Sequence, residues 1–414
     1  MTSVPNEIVV SAPGKVILHG EHAVVYGKLG VASSLDLRCR LTLTRNNDTV
    51  TLKLPDINIG ECWSLSAVKQ LYSRLGIENN RRNNQSNFVA RKLQPKDASI
   101  IKEFLCINSD SESQRTHALL SFFHLYSSLL PTVEGFTICV RSQIPTGAGL
   151  GSSASYGACL TGALLVLSET VKPAHLTATA KPEVRLNALK LASEWTYTSE
   201  VIMHGKPSGI DNTCCTFGGV ISFKDGNTYP EGTCGLQIML VNTKVPRSTL
   251  ALVTAVRQRR DKYPSIVDPI LDAIDVLAQQ ALTIIQQLEQ LSDANDSSKL
   301  ISKSTISSSE AIDPAAASAD LVAELGELID MNHKLLGALG VSHPTLEKVV
   351  EISAEHGLHA KLTGAGGGGF AMVLLPRRKK EDTFNQCKDC LESLGCEVWT
   401  VDLGVPGLCF HSTS

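Results

Sequence analysis

The stretch Pro145-Thr-Gly-Ala-Gly-Leu-Gly-Ser-Ser153 most narrows what this chain can fold into. Before it, Phe136, Ile138 and Val140 recur at the period of a half-buried strand; after it come small residues suited to a closely packed helix. Glycines at alternate positions remove side chains where a backbone must come close to a partner. They also leave N–H groups exposed ahead of a helix N-terminus. Such a strand, loop and helix suits phosphate oxygens and reads as a nucleotide cradle. It is not a Walker A loop, because no Gly-Lys-Ser/Thr ends it, and Ser152 stands at the third glycine position of the dinucleotide fingerprint. Taken alone, the loop reads equally well as a strand-to-helix turn that needs positive φ.

Charge adds a constraint on the partner. The 414 residues carry 38 Lys+Arg against 41 Asp+Glu, so there is no global basic field for nucleic acid or an anionic membrane, and an anionic ligand must be held by local groups. With 43% hydrophobic and 19% charged residues, disorder and fibres are excluded and two to three globular domains are expected. Ala158 to Leu167, the most apolar stretch, is interrupted by Thr161 and Gly162 and is shorter than the roughly 18 residues of a membrane span. The opening Met1-Thr2-Ser3-Val4-Pro5-Asn6-Glu7 has no secretory pattern, and His411-Ser-Thr-Ser414 is no Ser-Lys-Leu peroxisomal address, so the cytosol is expected. The twelve scattered cysteines then read as reduced thiols. Cys387-Lys-Asp-Cys390, with Cys396 and Cys409, lacks a second paired ligand unit for zinc, and Cys214 and Cys215 read as small packing residues.

Strands are expected at Ile8-Val9-Val10, at Asp36 to Leu43 with Leu37, Cys39, Leu41 and Leu43 on one face, and at Phe136 to Val140. Glu78 to Ser86 has almost no apolar side chains and is expected to be a mobile surface loop. Helices are expected from about Asp110 to Leu130 and from Pro182 to His204; in the second, Pro182 suits the first turn and Gly205 the stop. After Gly218-Gly219 come a strand at Leu236 to Val241 and a helix from about Ile266 to Leu291. The Ser/Ala/Asp-rich segment Ser292 to Asp320 reads as a flexible connection. Helices at Leu321 to Leu339 and after Pro344, the turn Lys361 to Gly369 and a strand at Phe370 to Leu375 follow. The pattern is α+β in two domains, residues 1–225 and 226–414.

Two further stretches join the glycine loop: Ser11-Ala-Pro-Gly-Lys-Val-Ile-Leu-His-Gly-Glu-His22 and Lys361-Leu-Thr-Gly-Ala-Gly-Gly-Gly-Gly369. In this order the three resemble the motifs of the GHMP small-molecule kinases. The forms His19-Gly-Glu-His-Ala-Val-Val-Tyr-Gly27, Gly149-Leu-Gly-Ser-Ser-Ala-Ser155, His204-Gly-Lys-Pro-Ser-Gly-Ile-Asp-Asn212 and Thr363 to Phe370 are similar to those of its mevalonate kinase branch. Galactokinases typically continue Gly-Glu-His with Thr-Asp-Tyr, whereas Ala23-Val24-Val25 follows here. The resemblance spans nearly the whole chain. It implies a ribosomal-S5-domain-2-like N-terminal domain, a ferredoxin-like C-terminal domain and an active site in the interdomain cleft. It also implies ATP-dependent phosphorylation of the primary hydroxyl of (R)-mevalonate, a homodimer, and feedback inhibition by farnesyl or geranyl diphosphate. Another GHMP kinase, or a catalytically silent ligand sensor on the same fold, is the alternative.

By the same resemblance, Asp211 accepts or orients the proton of the substrate hydroxyl, and Lys15 stabilises the alkoxide and phosphate. Ser153 and Glu200 hold Mg²⁺, which a hydroxyl, a carboxylate, phosphates and waters together suit. Asp56, Ser142, Gly147, Ala148, Gly149, Leu150, Gly151, Ser152, Ser153 and Lys15 contact ATP. Glu21, His22, Arg247 and Thr249 line the mevalonate pocket. Asp56 stands where similar kinases often carry Asn near the adenine; it can accept from the base amino group but has no amide donor. Without the resemblance, Ser153 reads as an N-cap, Glu200 as a solvated surface residue, Asp211 as an Asx-turn residue and Lys15 as a solvated charge. Gly364 to Gly369 are expected to approach the phosphates or support the catalytic loop, and His204, His333, His356 and His359 to be structural.

Overall fold

The computed structural model describes residues 5–77, 89–108, 113–145, 147–300, 314–376 and 381–412. The expected loop at Glu78 to Ser86 and the start of the helix expected from Asp110 lie outside these residues. The elements run β1 (Glu7–His19), β2 (Gly30–Asn46), β3 (Thr49–Leu54), β4 (Ile59–Ser64), α1 (Leu65–Arg74), α2 (Pro95–Phe104), α3 (Gln114–Leu129), β5 (Gly135–Ser142), α4 (Ser152–Leu167), α5 (Pro182–His204) and α6 (Ile210–Phe217). There follow β6 (Val220–Lys224), β7 (Asn227–Gly232), β8 (Gln237–Asn242), α7 (Thr249–Lys262), α8 (Pro264–Leu300), α9 (Pro314–Ala338), α10 (Pro344–Glu355), β9 (His359–Thr363), β10 (Phe370–Leu375), α11 (Glu381–Ser393), β11 (Glu397–Asp402) and β12 (Cys409–His411).

Local chemistry explains many of the helix starts. Pro95, Pro182, Pro264, Pro314 and Pro344 each open a helix, where the missing N–H has no intrahelical partner to lose. Ser64, Ser113 and Ser248 instead cap α1, α3 and α7 by accepting from the N–H of Ala67, Thr116 and Ala251.

The chain forms two compact units that are not consecutive in sequence. The first contains Met1–Gly14, Leu37–Gly218 and Pro406–Ser414; the second contains Lys15–Asp36 and Gly219–Val405. One crossing, at Gly218 to Gly219, falls in the region where a single boundary near residue 225 is expected. The C-terminal tail belongs to the first unit because half-buried Arg38 donates to the carbonyls of Ser11, Pro406 and Gly407. β12 then pairs antiparallel with β1, Val9 opposite His411.

In the first unit β5 pairs antiparallel with β2 and parallel with β3, and β3 pairs antiparallel with β4. Cys39, Leu41 and Leu43 of β2 and Phe136, Ile138 and Val140 of β5 are buried, as their alternation predicts. Trp63, Phe122, Phe123, Tyr126 and Phe136 form one ring cluster, with Trp63 and Phe123 edge to face at 4.8 Å. α4 packs against α3, α5 and α6.

The second unit carries a four-stranded antiparallel sheet in the order β11-β8-β10-β9. Helices α7 to α10 lie between β8 and β9 in sequence, and α11 between β10 and β11, which makes a ferredoxin-like β-α-β-β-α-β arrangement. Val241, Leu336, Leu362 and Val373 belong to its core. The reading of Ser292 to Asp320 as a connection is corrected at both ends. α8 runs to Leu300 and α9 begins at Pro314, and only 301–313 lie outside the described residues. The apolar spacing of α8, with Leu277, Ala281, Ile284 and Leu288 buried, carries the helix past the point where composition turns polar.

His124 on α3 is buried with Nε2 3.1 Å from Thr198 Oγ1 of α5, and burial holds its imidazole down to about 4 from an ordinary 6.5. Above the ordinary value both folded and unfolded chains hold it neutral. As pH falls below it only the unfolded chain takes the proton, so stability is lost down to the folded value. His124→Gln is therefore expected to lessen the loss of unfolding free energy between about pH 7 and about pH 4.5 by about 2–3 kcal/mol, measured by urea denaturation. An unchanged loss would show that His124 does not titrate in this way.

Candidate active site

In the first unit, the loop after β5 alternates between anchors and open backbone. Ala148 and Leu150 are buried, whereas Gly147 and Gly149 are exposed. Gly147, Gly149 and Gly151 all have φ between 71° and 75°, a conformation that costs other residues about 1–2 kcal/mol each. Gly151 caps α4, so the free N–H groups of its first turn and its dipole face the loop. A Cβ on Gly14 would come 3.0 Å from the Leu150 carbonyl, and Ser155 of α4 donates to the Pro13 carbonyl. The Pro13-Gly14 pair of the N-terminal motif thus lies against the glycine loop, and Lys15 is the next residue along β1.

Ser153 is in the first turn of α4, after the Gly151 cap, and is not itself the cap. Its Oγ lies 3.1 Å from His204 Nε2, and the same nitrogen is 3.7 Å from Glu200 Oε2, one turn back on α5. Glu200 is 1% exposed, so it is not the solvated carboxylate that its residue type alone suggests. Ser153 and Glu200 therefore converge, and His204, expected to be structural, stands with them. Its signal was the four-residue spacing from Glu200, which places both on one helix face. Two hard oxygens of this kind suit a divalent cation that keeps phosphate and water ligands. Among the described residues no three His, Cys, Asp or Glu side chains cluster as a metal site.

Asp211 lies in the first turn of α6, where the helix dipole favours a negative charge, and α6 packs on both α4 and α5. Cys214 and Cys215 on the same helix are fully buried, and burial pushes the Cys215 thiol up. Asp56 and Ser142 also meet. The Asp56 carboxylate accepts from the Ser142 N–H at 2.8 Å and from Arg141 at 3.0 Å, so both of its oxygens already have donors.

The second unit holds the remaining motif residues. Lys15 is 7% exposed on β1. Glu21 and Lys361 form an ion pair with side chains 1% and 0% exposed. Asn332 of α9 donates to Glu21 Oε2 at 3.2 Å and approaches His19 Nδ1 at 3.3 Å. Burial pushes the Glu21 carboxyl up and the Lys361 ammonium down, and each opposes the shift of the other. Burial, and then the Lys361 charge, hold His19 neutral. His22 has φ 61°, uncommon for a residue with a Cβ, and its Nε2 donates to the Ala365 carbonyl at 2.9 Å. Arg247 passes beneath the second glycine run: a Cβ on Gly364 would meet its guanidinium at 3.3 Å, and one on Gly369 would overlap its side chain. Thr249 is exposed at the first position of α7. No local pattern in the sequence pairs Lys361 or Asn332 with Glu21, from which they are 340 and 311 residues distant.

Residues 116–219 match the GHMP kinases N terminal domain and residues 316–395 the GHMP kinases C terminal domain. Both units of the chain therefore carry the marks of the GHMP kinases. Mevalonate kinase of Mus musculus is 36% identical over 412 residues, 98% of this chain and 96% of that protein. The Homo sapiens mevalonate kinase is 35% identical, with the same two shares covered. The chain belongs to the mevalonate kinase family of the GHMP kinases. A crystal structure of L. major mevalonate kinase in complex with R-mevalonate matches in fold, with TM-score 0.60 at 19% identity over 96% of this chain and 95% of that one.

Two glycines of similar φ separate backbone strain from crowding. Gly147 has φ 71° with nothing within 4 Å of an added Cβ, whereas at Gly366, φ 75°, the Cβ would overlap the Val341 carbonyl. Gly147→Ala is expected to destabilise by about 1 kcal/mol and Gly366→Ala by about 3 kcal/mol or more in chemical denaturation. Equal losses would contradict the packing at Gly366.

Proposed function

We propose that this chain transfers the γ-phosphoryl group of ATP to the primary hydroxyl of (R)-mevalonate, giving (R)-5-phosphomevalonate and ADP on the route to isoprenoids and sterols. The observation that carries the reading is the convergence, within the first unit, of the glycine loop, Ser153 and Glu200, with Asp211 on a helix packed against theirs. Phosphoryl transfer demands positioning and charge stabilisation more than covalent chemistry, and these residues supply both.

In this reading the loop N–H groups and the α4 N-terminus hold the phosphates, with Asp56 and Ser142 toward the base. Because the Asp56 carboxylate already accepts from Arg141 and Ser142, its part is to shape the loop as well as to accept from the adenine amino group. Ser153 and Glu200 hold Mg²⁺, which when bound neutralises phosphate charge. Asp211 orients the substrate hydroxyl and takes its proton; Lys15 provides the positive charge that makes a carboxylate an adequate base for an alcohol. Glu21, His22, Arg247 and Thr249 line the mevalonate pocket. Twofold assembly, inhibition by farnesyl or geranyl diphosphate and a cytosolic location complete the proposal.

An ADP-release assay with Mg·ATP and mevalonate, galactose, homoserine or phosphomevalonate tests it. Release with mevalonate alone is expected; silence across the panel with ATP still bound would favour the sensor alternative. Asp211→Asn is expected to lower kcat by about 10²–10⁴-fold with ATP affinity unchanged, and near-normal turnover would remove Asp211 from its role.

A further inference from the structure

The Glu21–Lys361 pair is an unusual element for a substrate pocket. A buried ion pair contributes little to stability compared with apolar packing, so its presence in a dry interior calls for a reason beyond the fold. Lys361 reaches Glu21 from β9, the strand that leads into the second glycine run. That strand is tied to β1 where Thr363 Oγ1 donates to the Ile17 carbonyl at 2.8 Å. Asn332 takes the other carboxylate oxygen, and its own Oδ1 is buried with no hydrogen-bond partner. Glu21 is thus gripped at both oxygens by residues on two different elements.

We propose that Lys361 is a positioning residue for the acceptor pocket: its ammonium, with Asn332, fixes the Glu21 carboxylate in one orientation. The inference rests on Glu21 being a pocket residue, as in the function proposed above. The groups on the Glu21 carboxylate are Lys361 on β9 and Asn332 on α9, and Asn332 also approaches His19. His333 lies behind, with Nδ1 accepting from the Leu362 N–H at 3.2 Å and Nε2 3.3 Å from Glu347 of α10. Burial, and then the Lys361 charge, disfavour the protonated form of His19. Without Lys361, burial leaves Glu21 protonated over more of the pH range.

The test is the pH dependence of kcat/KM in the full chain with Mg·ATP and mevalonate, for wild type, Glu21→Gln, Lys361→Met and Glu21→Gln/Lys361→Met. Turnover of mevalonate by wild type is the first readout; its absence overturns the proposed function itself. Given turnover, Lys361→Met is expected to raise the mevalonate KM about tenfold or more, leave the ATP KM unchanged, and move the acidic limb of the profile up by about one pH unit or more. In the Glu21→Gln background the same Lys361→Met change is expected to leave the limb where it is. If Lys361→Met does not fold, the comparison of Glu21→Gln with the double variant decides. A mevalonate KM equal in the two means that Lys361 acts through Glu21; a further loss of the same size in the double variant, or an unshifted limb in Lys361→Met, overturns the proposal.

Discussion

Ser153 and Glu200 can share a site only because α4 and α5 approach closely at Gly157. A Cβ there would lie 3.0 Å from Ser199 Oγ and 3.2 Å from Ser199 Cβ, so the two helices meet at a glycine facing a serine. Ser153 is one turn before Gly157, and Glu200 follows Ser199. Any larger residue at the crossing would move the two oxygens apart, and positioning errors of about 1 Å are enough to cost a phosphoryl transfer enzyme much of its rate. The small residues of α4, a packing signal in the sequence, are thus a condition of the proposed chemistry.

The same economy appears in the second unit. Gly364 and Gly369 leave the space through which Arg247 passes, and Thr243 accommodates the run by donating from its Oγ1 to the Gly369 carbonyl at 2.9 Å. His22 holds a left-handed conformation and is fastened to Ala365 in that run. Strain of this kind persists where neighbouring contacts over-determine it, and it is commonly found at ligand sites. The buried Glu21–Lys361 pair adds charge to this framework without exposing it to water.

Local signals made much of this legible. α5 runs from Pro182 to His204, as its proline, apolar spacing and Gly205 predict, and β10 from Phe370 to Leu375 follows its apolar run. The glycine loop and the order of the motifs point to nucleotide chemistry from the sequence alone. What stayed hidden depends on distance along the chain. Lys361 is 340 residues from Glu21, and Asn332 is 311. The Arg38 contacts that draw residues 406 and 407 into the first unit are likewise non-local. β1 extends through Pro13 and Gly14, residues that argue against a strand, because Ser155 and Leu150 provide neighbours that no local pattern records. His204 was legible in principle, from its spacing to Glu200, but a lone histidine on a helix has many structural uses.

The most direct measurement is a crystal structure of the chain with Mg²⁺, a non-hydrolysable ATP analogue and mevalonate. The cation is expected to be held by Ser153 Oγ and a Glu200 carboxylate oxygen, with the triphosphate on the Gly147 to Ser153 loop and the primary hydroxyl facing Asp211. A cation held by other side chains, with Glu200 still turned to His204, would contradict this arrangement.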